Sequence, residues 1–293
     1  MLREPADRRS FPPEVALHVV KIACELPDKL GRSLSQWDSV EIARELVADG
    51  IVASISADTV SRILRHHKLK PWRHQMWMSP KVPRDAVFKA TVLEIADLYT
   101  RPLLPSEVVL CFDEKTSIQP RPRTSPTRPA QIGRPIRLEH EYKRAGALNL
   151  FAALDTRSGK VWGQCYERKR QVELIPFLEM LDEEIPPSVT TIHVVLDNVR
   201  MHKGKLVQAW LGEHPRFKFH FPPVHCSWMN QVEQWFSILQ RKRLGLADFE
   251  STDALSEKIL AYIAHYNEHA HPFNWTTQSV AKVMAQCEAD AAA

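Results

Sequence analysis

Two short apolar runs, each ending in an aspartate, constrain this chain more than any other feature. Val108 to Phe112 leads into Asp113, and Thr191 to Leu196 leads into Asp197. Runs of this length, rich in branched residues and bounded by polar segments, read as strands buried on both faces. Ligands of open α/β sheets collect where such strands end. Ala147–Leu154 and Lys160–Tyr166 flank the turn Asp155-Thr156-Arg157-Ser158-Gly159 and read as a hairpin. Helices are expected over 172–184, 203–211 and 229–244, and a further strand over 217–221. The order is strand, strand, strand, helix, strand, helix, strand, helix. It predicts a mixed sheet covered by helices on both faces, the order of the ribonuclease H-like fold.

In that order the strands ending at Asp113 and Asp197 are parallel neighbours, so two carboxylates stand close together. Two such groups repel unless a cation lies between them. Hard oxygen donors suit Mg²⁺ or Mn²⁺. Glu233, on the helix over 229–244, can lie across the same strand ends. Three acids can hold two ions about 3.5–4 Å apart, the arrangement used for in-line displacement at phosphate. Each acid alone reads as a surface or capping carboxylate, which for a single aspartate after a strand is the commoner case; the set of three is more specific. Glu114 falls on the opposite face of its strand by alternation and is left out of the metal site.

The N-terminal part is helical. Helices are expected over 13–25, from Asp38 to Gly50, and after the cap Ser56. The last buries Ala57, Val60, Ile63 and Leu64, and leaves Asp58, Ser61, Arg62, Arg65 and His66 outside. Two short helices, a tight turn and a basic outer face describe a helix-turn-helix, whose second helix enters the major groove of DNA. An ordinary three-helix bundle has the same pattern. The continuation through Lys68, Lys70, Arg73 and His74 points to phosphate contact. A net charge of +4 and an isoelectric point near 8.8 add little to that. The expected organisation is a helix-turn-helix domain over 1–70, a linker with Trp72, Trp77, Pro80 and Pro83 and a connecting helix over 71–104, and a catalytic domain over 105–293.

No apolar run approaches the ~20 residues needed to cross a bilayer, and the charged N-terminus is unlike a signal peptide. Five scattered cysteines form neither a zinc motif nor a disulfide framework. A cytoplasmic protein with no membrane association is expected.

Leu196-Asp197-Asn198 with His202, then Phe221-Pro222-Pro223, then Trp228-Met229-Asn230-Gln231-Val232-Glu233-Gln234-Trp235-Phe236, resemble the catalytic core of bacterial insertion-sequence transposases of the mariner-like superfamily. Phe112-Asp113-Glu114 is similar to that family's first catalytic strand, and Tyr266-Asn267 with Pro272-Phe273 and Trp275 to its C-terminal signature. The thirty-five residues 198–232 separate the second and third acids, close to the family's interval. The resemblance implies a DDE transposase in which Asp113, Asp197 and Glu233 are catalytic and ligate two Mg²⁺ or Mn²⁺ ions. It implies hydrolysis of double-stranded DNA at transposon ends, strand transfer into a target, commonly TA, and a homodimer on DNA. The DNA-binding residues would be Ser61, Arg62, Arg65, His66, Lys68, Lys70 and Arg73.

Asn198 and His202 either support the metal ligands from behind or serve as a helix cap and a solvated ring. His225 and Trp228 lie in the loop before the third acid, and packing is the reading for Trp228. Arg241-Lys242-Arg243 complements a helix dipole, with DNA contact as the alternative. The Pro/Arg-rich stretch 119–137 reads as an exposed loop, and the resemblance implies that it reaches a partner subunit. The family carries two helix-turn-helix units, of which only the second is recognisable here, so a truncated copy or a split reading frame is an expectation. The competing functions are a ribonuclease H-type nuclease without strand transfer and a domesticated DNA-binding regulator, which three intact acids disfavour.

Overall fold

The computed structural model describes residues 11–74, 84–224, 226–246, 248–275 and positions 278, 280, 281, 284 and 285. Trp77, Pro80, Pro83 and His225 lie outside the described residues. The chain divides into two compact units, 1–79 and 80–293.

The first unit holds α1 (Pro13–Cys24), α2 (Ser39–Ala48) and α3 (Ala57–His66). Asp38 caps α2 by accepting from the Val40 and Glu41 amides, both at 2.8 Å, and Ser56 caps α3 through the Thr59 amide. These caps satisfy amides that a helix start leaves without partners. Val19, Ile42, Leu46, Val60 and Leu64 meet in the core. Trp37, which the periodicity does not place, fills the same core and donates its indole N–H to the Glu25 carbonyl at 3.0 Å. The buried Glu45 carboxylate is clasped by Arg32 at 2.7 and 3.0 Å. The α2–α3 pair is a helix-turn-helix, and Arg62, Arg65 and His66 lie exposed on α3.

The second unit is built on β1 (Glu107–Ile118), β2 (Leu148–Asp155), β3 (Val161–Tyr166), β4 (Thr191–Val195) and β5 (Phe217–His220). The sheet order is β3-β2-β1-β4-β5. β1 runs antiparallel to β2 and parallel to β4, and β4 is parallel to β5. Its helices are α4 (Ala86–Thr100), α5 (Gln171–Glu184), α6 (Lys205–Glu213), α7 (Val232–Leu239) and α8 (Thr252–Asn267). α4, α7 and α8 cover the sheet face that carries Val109, Cys111, Leu150 and Ala152. α5 and α6 cover the face that carries Leu110, Phe112, Phe151 and Val194. Alternation along β1 therefore separates its odd from its even residues. The mixed sheet with helices on both faces is the ribonuclease H-like arrangement.

Three elements differ from the sequence expectation. β1 does not stop before Asp113; it continues to Ile118, because Asp113, Glu114 and Lys115 pair with Ala152, Phe151 and Leu150 of the apolar β2. The helix expected over 229–244 is three pieces: a 3-10 turn at Ser227–Met229, α7, and a wider π turn at Gln240–Leu244. α8 was not anticipated; its Leu255, Ile259 and Ile263 form a narrow one-per-turn stripe into the core. The stretch 119–137 is a largely exposed loop, as expected, and isolated bridges shape it and its continuation to 143. Arg123 pairs with Tyr142, Arg128 with Arg137 and Gln131 with Arg134, making a narrow finger with Ile132 fully exposed near its tip. Among the described residues no helix is long and apolar enough to cross a membrane.

Candidate active site

Asp113 lies on β1 with the same parity as Val109 and Cys111, and so on the face that α7 covers. α7 is tied there by its approach segment. Asn230, itself buried, donates to the Phe112 carbonyl at 2.8 Å, and the Tyr99 hydroxyl donates to the Met229 carbonyl at 2.8 Å. Glu233, in the first turn of α7, then lines a cavity of about 610 Å³ together with the β1 segment Asp113, Glu114, Lys115 and Thr116 and with Phe236, Ser237, Gln240 and Arg241. Asp197 stands just beyond β4, beside β1. It does not line that cavity, but its charge acts on Asp113.

Burial pushes the Asp113 carboxyl up to about 7, and the charges of Glu114, Asp197 and Glu233 push the same way. The Glu114 amide, donating to Asp113 Oδ1 at 2.7 Å, offsets part of this. Burial also acts to raise Asp197, but bonds from His202 and the Val199 amide outweigh it and hold that carboxyl below its ordinary value. One aspartate of the pair thus holds a proton near neutrality and the other does not.

The loops carrying Asp197 and the β5 end are fastened to each other. Asn198 donates its amide to the Pro222 carbonyl and accepts from Lys203 at 2.6 Å, while the Lys203 ammonium sits 4.3 Å from the centre of the Phe221 ring. His202 is fully buried. Its Nδ1 lies 3.0 Å from Asp197 Oδ1 and its Nε2 2.7 Å from Glu114 Oε1. Burial alone would lower the pKa of this ring, but the two carboxylates outweigh it and hold it up at about 10. The ring is therefore protonated on both nitrogens and donates in both directions.

Of the residues singled out in sequence, Asp113 and Glu233 share one cavity, and Asp197, Asn198 and His202 form a bonded cluster beside it. Trp228 stacks parallel on Trp275 at 6.3 Å, a packing role. The basic triplet splits: Arg241 lines the cavity, while the Arg243 guanidinium lies 4.8 Å from the Phe249 ring centre. In the first unit Arg62, Arg65, His66, Lys68, Lys70 and Arg73 are exposed, and Ser61 is half-buried. Sequence reasoning missed Lys115. It lies two residues from Asp113 on a strand, hence on the same face, and alternation alone would have found it. Burial lowers its pKa, with the Glu233 charge acting in the opposite sense.

The donors here are carboxylate oxygens whose mutual repulsion a hard divalent cation would relieve. As placed, no three acid, histidine or cysteine side chains among the described residues form a closed metal cage. The site fits such an ion in donor chemistry and in the raised Asp113, and is open rather than preformed.

A β3-β2-β1-β4-β5 sheet covered by helices on both faces defines a protein of the ribonuclease H-like fold, here with Asp113 on β1, Asp197 after β4 and Glu233 on a covering helix. Structural comparison agrees on the fold. The crystal structure of the Mos1 mariner paired end complex with Mn superposes with a TM-score of 0.52, at 13% identity over 90% of this chain and 74% of that one. The Mos1 strand transfer complex superposes at 0.51, with 14% identity over 89% and 74%. The chain belongs to the DDE superfamily endonuclease family, which it matches over residues 108–256, a span containing all three acids. A curated relative, the insertion element IS630 uncharacterized 39 kDa protein of Shigella sonnei, is 29% identical over 134 residues. That match spans 46% of this chain and 38% of the relative.

Proposed function

We propose that the chain is a DDE transposase that cleaves double-stranded DNA at the ends of an insertion element and joins them to a target, commonly at TA. One observation carries the reading. Asp113 and Glu233 face an open cavity beside Asp197, and burial, reinforced by the charges of Glu114, Asp197 and Glu233, raises Asp113 to about 7. Such perturbation in a cleft is a mark of functional sites. Asp113, Asp197 and Glu233 would hold two Mg²⁺ or Mn²⁺ ions. Bound there, the ions supply charge stabilisation at phosphorus and an activated water or 3′ hydroxyl.

The chain's own residues do the rest. Asp113 gives up its carboxyl proton as the site takes up positive charge. Lys115 and Arg241, the cations in the same cavity, suit the oxygens of the scissile and flanking phosphates. Asn230 fixes α7 to β1 and so fixes Glu233 relative to Asp113. Residues 1–70 supply the helix-turn-helix, with Arg62, Arg65, His66, Lys68, Lys70 and Arg73, flanked by Ser61, at the phosphate backbone and groove. Residues 71–104 connect, 105–293 catalyse, and the finger of residues 119–143 bridges to a second copy on DNA.

The test uses DNA carrying the inverted repeats that flank the coding sequence. Purified protein with Mg²⁺ should cleave at the repeat boundary and join pre-cleaved ends to a plasmid, and Asp197→Ala should do neither. Cleavage without joining would establish a nuclease of the ribonuclease H type instead, and binding without cleavage a DNA-binding regulator.

A further inference from the structure

Glu114 is adjacent to Asp113 in sequence yet serves the other sheet face. It shares parity with Leu110 and Phe112, and its side chain is almost fully buried, at 2% exposure. Its Oε1 lies 2.7 Å from His202 Nε2, and the opposite nitrogen of that ring lies 3.0 Å from Asp197 Oδ1. The Phe112 ring meets His202 edge-on at 5.5 Å and closes the remaining side. A continuous carboxylate–imidazole–carboxylate chain thus runs from the buried face of β1 to the partly exposed acid beyond β4.

We propose that Glu114 is a positioning residue for Asp197, acting through His202. This rests on the reading of Asp197 as a metal ligand in DNA cleavage. Asp197 sits past the end of its strand, where backbone pairing no longer restrains it, and it has two free torsions. Its protein bonds, from the Val199 amide and from His202, both fall on Oδ1. They select one orientation and leave Oδ2 without a protein donor among the described residues. On that side His202 Nδ1 is shared between Asp197 Oδ1, at 3.0 Å, and the Asp197 main-chain oxygen, at 3.1 Å, so this nitrogen alone does not commit the ring to the side chain. The second carboxylate, Glu114, sets the plane of the ring. Outer partners of this kind fix the orientation of the groups that face a metal. Glu114 is thereby assigned neither to the metal nor to the surface, but to the geometry of Asp197.

The test pairs direct Mn²⁺ binding, followed by the paramagnetic resonance of free manganese, with Mn²⁺-dependent nicking of supercoiled plasmid. Glu114→Ala should raise the Mn²⁺ dissociation constant and the Mn²⁺ midpoint for nicking by about 10–100-fold, and excess Mn²⁺ should restore most of the rate. Glu114→Gln keeps the shape and an acceptor but not the charge, and should fall between Glu114→Ala and wild type. In a His202→Ala background the Glu114 substitutions should have no further effect, because the route to Asp197 is already cut. A merely structural role would lower the melting temperature without this dependence on His202. Wild-type Mn²⁺ binding in Glu114→Gln, or an equal further loss in the His202→Ala background, would overturn the proposal while an inactive Asp197→Ala leaves the transposase reading standing. Full nicking by Asp197→Ala would instead remove the reading on which it rests.

Discussion

Replacing Asp113 by asparagine should stabilise the metal-free protein, and the gain should depend on pH. The unfolded chain ionises Asp113 near 3.8, whereas the folded site holds its proton up to about 7. The folded pKa is raised, so the favourable contribution of the protonated group is fully present below about 4 and is lost as pH rises to about 7. The difference corresponds to about 4 kcal/mol if every part of the shift is expressed as stability. Solvent reaches this open site, and screening leaves about 2 kcal/mol. For a unit of this size each kcal/mol moves the midpoint by roughly 2–4 °C, so Asp113→Asn should melt about 4–8 °C above wild type. The assay is thermal unfolding followed by circular dichroism in chelator, from about pH 4 to about pH 9. The two proteins should coincide at the acid end, diverge through neutrality and run parallel above it. Excess Mn²⁺ should then raise the midpoint of the wild type alone. A difference that is flat with pH, or a less stable asparagine variant at alkaline pH, would refute the claim that crowded, buried carboxylates strain this site.

Asn267 accepts from the Val161 amide at 2.9 Å and donates to its carbonyl at 2.8 Å; Asn267→Ala should cost about 1–3 kcal/mol for the two bonds, read as a lower urea midpoint. Arg62→Ala and Arg65→Ala should each weaken DNA binding across sequences and reduce the log–log salt slope by about 1; a slope identical to wild type would remove α3 from the DNA interface. Deleting residues 121–130 removes one side of the finger; the protein should keep its circular dichroism spectrum but fail to form a two-protomer complex on DNA ends in a gel-shift assay, and normal assembly would end that assignment.

What sequence could reveal here followed from periodicity. Apolar runs at Val108–Phe112 and Thr191–Leu196 place the two aspartates beside each other because buried parallel strands have few alternatives. β1 was read too short because Lys115, Thr116 and Ser117 are polar, yet that end is paired with Leu148–Phe151, whose own side chains supply the burial. α8 was missed because one apolar residue per turn is a weak stripe, although Ser251 caps it through the Ala254 amide. The pairing of Glu114 with His202 spans 88 positions, and no local pattern encodes it. Alternation assigns the Glu114 side chain to the face opposite Asp113, but only the folded chain shows that it meets His202 there.

The polar residues that accompany the acids in the sequence motifs are chiefly fasteners for the backbone. Asn230 holds the Phe112 carbonyl just before Asp113, Asn198 holds the Pro222 carbonyl beyond β5, and Asn267 seals the edge of β3. An amide suits the first two of these positions for an electrostatic reason. Both lie beside carboxylates whose mutual repulsion adds to the burial that raises Asp113 to about 7. A lysine or arginine there would neutralise the acids and compete with a divalent cation, and another carboxylate would deepen the repulsion. Asparagine donates and accepts without charge, so it can fix the strand ends and leave the field of the acids unspent. His202, by contrast, is a charged fastener, and it stands between two carboxylates, with Glu114 balancing its charge behind Asp197.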